Sequence, residues 1–176
     1  EPAYDSYRPI VEAVGGVAKI VTLSPPAWRL TEEALAAAVT PKTKAVMINS
    51  PLNPIGRVFD AHEMAAIARV LANSNAVAIC DEVYEHLTYD GRPHIPLATL
   101  RGMRERTVRI GSAGKIFSLT GWKVGWLTGP RQISSSPSPH HRRCSWASPT
   151  VSSTKWNPPS HWPGGFKTIV IFSRPA

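Results

Sequence analysis

The chain has 176 residues, 43% of them hydrophobic, with a formal net charge of +8. That length allows one domain or part of a larger one, and the composition is that of a globular protein rather than a disordered or fibrous one. No apolar run approaches the roughly 20 residues of a membrane-spanning helix, and two cysteines, Cys80 and Cys144, make no disulfide framework.

The opening EPAYDSYRPI lacks the basic and apolar regions of a signal peptide, and it lacks an initiator Met. The chain is therefore expected to begin inside a longer protein. A reducing compartment fits the cysteine usage; the expected location is the cytoplasm, with the mitochondrion as the alternative. In chain order, AKIVTL (18–23) predicts a short strand. TEEALAAAV (31–39) predicts a helix with Thr31 as its N-cap. KAVMIN (44–49) reads as a buried strand. DAHEMAAIARVLANS (60–74) predicts a helix with Asp60 as N-cap, Glu63 completing a capping box, and positions 64, 67, 68 and 71 on its apolar face. AVAIC (76–80), TVRIG (107–111) and KVGWLTG (123–129) predict three more strands, with Cys80 as a buried strand thiol. Near-continuous apolar strands alternating with helices predict an α/β fold with a mostly parallel sheet flanked by helices.

Composition changes abruptly at about residue 131. All twelve acidic residues lie between Glu1 and Glu105; residues 1–130 hold fourteen Lys/Arg against them, and the last 46 residues supply the remaining +6. Two segments are therefore expected: an α/β domain over 1–130 and an irregular Ser/Pro-rich basic tail over 131–176. The tail shows no helical or strand period, and KTIVIF is its one apolar run. The break reads as a shift of reading frame or a misplaced gene end. Translation of the coding DNA in the other frames past codon 131 tests this.

In sheets of this kind ligands collect at the carboxyl ends of the strands. Three stretches fall there. SPLNPIG follows strand 44–49 and holds Asn53 between Pro51 and Pro54, with Gly56 allowing a tight turn. DEVY follows strand 76–80 with Asp81 and Tyr84; an acid at the end of a buried strand requires a cation or hydrogen-bond donors. GSAGK follows strand 107–111 with Ser112 and Lys115, a small-residue turn able to offer N–H groups to an anion, although the spacing is not that of a P-loop. A second cation, Lys123, lies between Trp122 and Trp126, which read as packing residues. A lysine amine, a carboxylate, phosphate-binding groups and a fixed amide are what pyridoxal phosphate requires. His62, His86 and His94 show no metal-ligand spacing with Cys80, so no metal site is expected.

With these motifs in order, the run from EPAYDSY to GWKVGWLTGP resembles the large domain of class I/II, fold type I aminotransferases. It looks most like the kynurenine aminotransferase and cysteine-S-conjugate β-lyase branch. SPLNPIGRVF, DEVYEHLTYDG and GMRERTVRIGSAGKIFSLTGWKVGW carry the likeness over about 130 residues. The resemblance implies pyridoxal 5'-phosphate as cofactor, an amino acid and a 2-oxo acid as substrates, and a homodimer, with neither membrane nor nucleic acid as partner. By position, Lys115 matches the lysine that binds the cofactor aldehyde and moves the Cα proton. Asp81 matches the carboxylate on the pyridine nitrogen, Asn53 and Tyr84 the partners of the 3-hydroxyl, Ser112 and Lys123 the phosphate ligands, and Tyr4 the aromatic stacked on the ring. A substrate with a leaving group on Cβ would undergo elimination at the same site. The family chain is more than twice as long, and its carboxylate-gripping arginine has no counterpart here; Arg174 stands in the wrong context. Two further readings stand beside a transaminase: a truncated fragment that at most binds the cofactor or a full-length subunit, and a nucleic-acid-binding tail, which salt-dependent affinity for unrelated DNA would reveal.

Overall fold

The structure, a computed structural model, describes residues 1–130 and the backbone of residues 166–172. Its elements are α1 (Tyr7–Ala13), α2 (Glu32–Ala38), β1 (Ala45–Asn49), α3 (Ala61–Ala72), β2 (Val77–Asp81), β3 (Thr107–Ser112), α4 (Ala113–Ile116), β4 (Val124–Pro130) and β5 (Phe166–Phe172). The strands form one sheet in the order β1-β2-β3-β4-β5. β1, β2 and β3 pair in parallel, and β4 runs antiparallel to both β3 and β5. Four of the five strands therefore point the same way, and only β4 is reversed. This is the expected mostly parallel α/β sheet.

The β1–α3–β2 unit follows from local sequence. Asp60 accepts from the Glu63 N–H at 3.0 Å, and Glu63 accepts from the Asp60 N–H at 3.0 Å, so both halves of the capping box are made. Four residues later in the chain the apolar stripe begins to bury: Met64, Ile67, Val70 and Leu71 join Ile48, Ala78 and Cys80 in one core. Ile67 and Leu71 are fully enclosed, each worth about 1.5–3 kcal/mol relative to exposure. Thr31 caps α2 as expected, accepting from the Ala34 N–H at 3.2 Å. Cys80 is buried as expected, and enclosure pushes its thiol well above the ordinary range.

Three elements differ from expectation. Residues 18–23 are not a strand. They run alongside the first residue, with the Leu23 N–H donating to the Glu1 carbonyl at 2.7 Å, and Leu23 anchors in the core. β-branched residues favour a strand only where a neighbour completes the ladder, and no described strand pairs with residues 18–23. Helix α1 is the second difference; none of its residues is fully buried, so it carries no apolar stripe to read. The third is β5. The sequence predicts no regular element after residue 130, yet the KTIVIF run pairs with the whole of β4, from Val124 opposite Phe172 to Pro130 opposite Phe166. An isolated apolar run becomes a strand where an open edge offers unpaired N–H and C=O groups. The HHRRC run and Arg174 lie outside the described residues.

Candidate active site

The carboxyl ends of β1, β2 and β3 meet at one edge because their registers are aligned: Asn49 stands opposite Asp81, and Asp81 opposite Ile110. The chain leaving β1 is folded back on itself. Leu52 and Arg57 pair across the turn, with the Leu52 N–H on the Arg57 carbonyl at 2.7 Å, and Gly56 adopts a φ of 69° that favours glycine. Asn49 ties this loop to β2. Its Nδ2 donates to the Asp81 carbonyl at 3.0 Å and its Oδ1 accepts the Asn53 N–H at 2.8 Å. The Asn53 amide therefore has a fixed backbone, and its Nδ2 reaches the Tyr84 hydroxyl at 3.5 Å.

Asp81 is the last residue of β2 and half-buried. Its Oδ1 accepts the Val83 N–H at 3.3 Å, and its Oδ2 accepts the Tyr7 hydroxyl. Burial first, then the bond to the Asp81 carboxylate, pushes the Tyr7 phenol well above its ordinary value, so Tyr7 stays a donor. Tyr4 stands edge-on to Tyr7 with ring centroids 5.5 Å apart and is 38% exposed.

Ser112 ends β3 and Lys115 follows on the single turn of α4. The turn is tight: a Cβ on Gly114 would stand 3.2 Å from the Thr120 Cα and 3.4 Å from the Ser112 Oγ. Lys115 is exposed, and its Nζ lies over the Tyr84 ring, 5.5 Å from the centroid. Within about 6 Å such a contact is attractive. Lys123 precedes β4 in a left-handed conformation, φ 52° and ψ 42°, and is exposed. No hydrogen bond or ion pair among the described residues joins it to the others.

Of the seven residues expected at the site, Asn53, Tyr84 and Lys115 form one chain of contacts. Asp81 is linked to that chain through Asn49, and to Tyr4 through Tyr7. Ser112 adjoins through the α4 turn, and Lys123 stands apart. Tyr7 was not expected there; the second tyrosine of EPAYDSY, three residues after Tyr4, is the signal that points to it. The donor set fits pyridoxal phosphate in kind: an amine for an aldehyde, a carboxylate held by two donors for a ring nitrogen, an amide and a phenol for a hydroxyl, and a hydroxyl and a cation for a phosphate.

Beside this edge lies a second cluster. Glu82 is 3% exposed. Arg109 of β3 donates through Nε to the Glu82 Oε2 and through Nη2 to the Glu85 Oε2 at 2.9 Å. The buried His94 ring places Nε2 3.5 Å from the same Glu82 oxygen.

Residues 1–153 match the family described as aminotransferase class I and II. The chain is 50% identical over 135 residues to a probable N-succinyldiaminopimelate aminotransferase of Mycobacterium tuberculosis, covering 76% of this chain and 34% of that protein. It is 46% identical over 144 residues to kynurenine–oxoglutarate transaminase 1 of Rattus norvegicus, with the same coverage. The solved structure of the M. tuberculosis N-succinyldiaminopimelate aminotransferase superposes with a TM-score of 0.75, over 77% of this chain and 36% of that one. YbdL of Escherichia coli, whose structure is described with a methionine aminotransferase function, superposes with a TM-score of 0.74 at 36% identity, again over 77% of this chain and 36% of that one. The chain spans about a third of the length of these relatives. On the match of 153 residues and the shared fold, the chain belongs to the class I and II aminotransferases, a family that works with pyridoxal phosphate.

Proposed function

We propose that this chain carries the cofactor-binding part of an aminotransferase that moves an amino group between an amino acid and a 2-oxo acid. The observation that carries this reading is the linked set Asp81, Asn53, Tyr84 and Lys115 at the carboxyl edge of β1–β3. Pyridoxal phosphate, when bound, supplies an electron-withdrawing ring that takes up the charge left when a Cα proton departs.

The chain's own groups do the rest. Lys115 would hold the cofactor through Nζ and, once a substrate amine had displaced it there, would carry the Cα proton on the freed Nζ. Asp81 keeps the ring nitrogen protonated, and the Tyr7 hydroxyl and Val83 N–H fix the orientation of its carboxylate. Asn53 and Tyr84 hold the ring hydroxyl, Ser112 and Lys123 the phosphate, and Tyr4 covers the ring face. A homodimer in the cytoplasm, or in the mitochondrion, belongs to the same reading. The family relationship supports the first, and the buried free thiol of Cys80 accords with the second.

A second reading, a chain that binds the cofactor without turnover, is favoured by the exposure of Lys115. An exposed amine keeps its water shell, and a site open to water loses the strengthened electrostatics that catalysis draws on. One experiment tests both. The chain is mixed with pyridoxal phosphate, reduced with borohydride and mapped by peptide mass spectrometry. A single adduct at Lys115, lost in Lys115→Ala, is expected, and 2-oxo acid release from an amino acid then separates turnover from binding. Adducts scattered over many lysines, or none, would overturn the site assignment.

A further inference from the structure

We propose that Glu82, Glu85 and His94 bind one divalent transition metal of the zinc class, using side chains other than those assigned to the cofactor. The His94 side chain is 7% exposed, and neither Nδ1 nor Nε2 has a hydrogen-bond partner among the described residues. A buried imidazole with two unmet nitrogens lacks what such groups regularly find, a donor, an acceptor or a metal. Its Nε2 stands 3.5 Å from the Glu82 Oε2 without making a hydrogen bond. Two ligands that are each about 2.1 Å from a tetrahedral zinc are themselves about 3.4 Å apart. One ligand atom from each of Glu82, Glu85 and His94 lies within 4.8 Å of the others. The Glu85 side chain, at 19% exposure, is the least buried of the three, and a rotation about its own bonds would close the remaining ångström or so.

Arg109 does not displace the metal; it completes the site. It bonds one oxygen of each carboxylate, and each oxygen retains a second lone pair. Carboxylates that ligate metals are regularly held by such outer partners. Two carboxylates and one guanidinium leave a residual charge of −1, in a region where unpaired charge is costly. A dication answers it. Two oxygens and one nitrogen suit zinc or its neighbours, and three protein ligands are too few for calcium, which takes six to eight oxygens. Linear spacing conceals the set. Glu82 and Glu85 meet because the turn after β2 closes on itself, with the Glu85 N–H on the Glu82 carbonyl at 2.9 Å. His94 arrives on a later loop.

The test is Co²⁺ binding to the full chain without pyridoxal phosphate, followed by equilibrium dialysis and visible absorbance, with Zn²⁺ as competitor. One Co²⁺ per chain, visible bands and displacement by Zn²⁺ are expected. Glu85→Gln and His94→Gln should each weaken binding roughly tenfold or more. Because His140, His141 and Cys144 could capture metal themselves, the triple variant H140A/H141A/C144A must bind as tightly as the parent. Circular dichroism monitors folding, and Glu85→Gln, at the least buried ligand, decides the matter if His94→Gln does not fold. No binding at millimolar Co²⁺, binding unchanged in Glu85→Gln, or binding lost with the tail variant would each overturn the proposal.

Discussion

Tyr7→Phe removes one hydroxyl and asks what holds α1 to the sheet. The helix has seven residues, none of them fully buried, and its N-cap Ser6 makes no side-chain capping bond. A free helix of that length is not stable in water. Its described tethers are the Tyr7 hydroxyl on the Asp81 carboxylate and the edge contact with Tyr4. A hydrogen bond to a charged group is worth about 1.5–3 kcal/mol. Water reaches the half-buried Asp81 in part once the hydroxyl is gone, so we expect the low end, about 1.5 kcal/mol, which is roughly tenfold in a local opening equilibrium. Native-state hydrogen exchange reads this directly. The Ile10 amide, bonded to the Ser6 carbonyl at 3.2 Å, should exchange about ten times faster while amides of β2 and β3 keep their rates. Equal acceleration in the sheet, or no change in α1, would refute the reasoning. The pH range follows from the raised phenol. The tether is fully present below the ordinary tyrosine value of about 10 and is lost only as pH rises through the higher folded value. The effect of Tyr7→Phe should therefore be constant from neutrality to about pH 10.

Two further outcomes are expected. Glu63 is 3% exposed and accepts from the Arg57 Nη2 at 2.7 Å, the Leu30 N–H at 2.8 Å and the Asp60 N–H at 3.0 Å. Glu63→Ala leaves the partly buried Arg57, 14% exposed, without its carboxylate and should cost about 3 kcal/mol in urea unfolding, the low end for a buried pair; a loss below about 1 kcal/mol would show that this network does not anchor α3. Asp60 is held below the ordinary carboxylate value. Burial acts against this, and the Glu63 N–H and the Arg29 guanidinium outweigh it. The stability it contributes is present above about pH 4 and is lost as pH falls through the lower folded value. Asp60→Asn should flatten the dependence of stability on pH in that window, and an unaltered acid limb would refute the assignment.

That Asn53, Asp81 and Lys115 gather at one edge was legible because it depends on where strands end. Asp81, Asn53 and Lys115 each follow a strand that apolar composition alone predicts, and parallel strands in register bring such ends to one edge. Lys123 was legible as a cation beside a strand, but no described bond carries it to the group. The strand expected at 18–23 was misread because β-branched content marks a segment that suits a sheet, not one that has a neighbour.

The sequence by itself determined α2, α3 and strands β1 to β4 to within a residue or two. Caps, apolar stripes and small-residue turns act over three or four positions, so their outcome is contained in the local string. It also determined the family, through several motifs in order. The tertiary structure alone decided contacts between distant groups. Tyr7 meets Asp81 across 74 residues, Arg109 reaches two glutamates from the neighbouring strand, and His94 turns inward beside them. It also gave KTIVIF a partner in β4. A polar side chain's partner depends on which strands lie side by side, and sheet order is settled by packing the whole chain, not by any one segment of it.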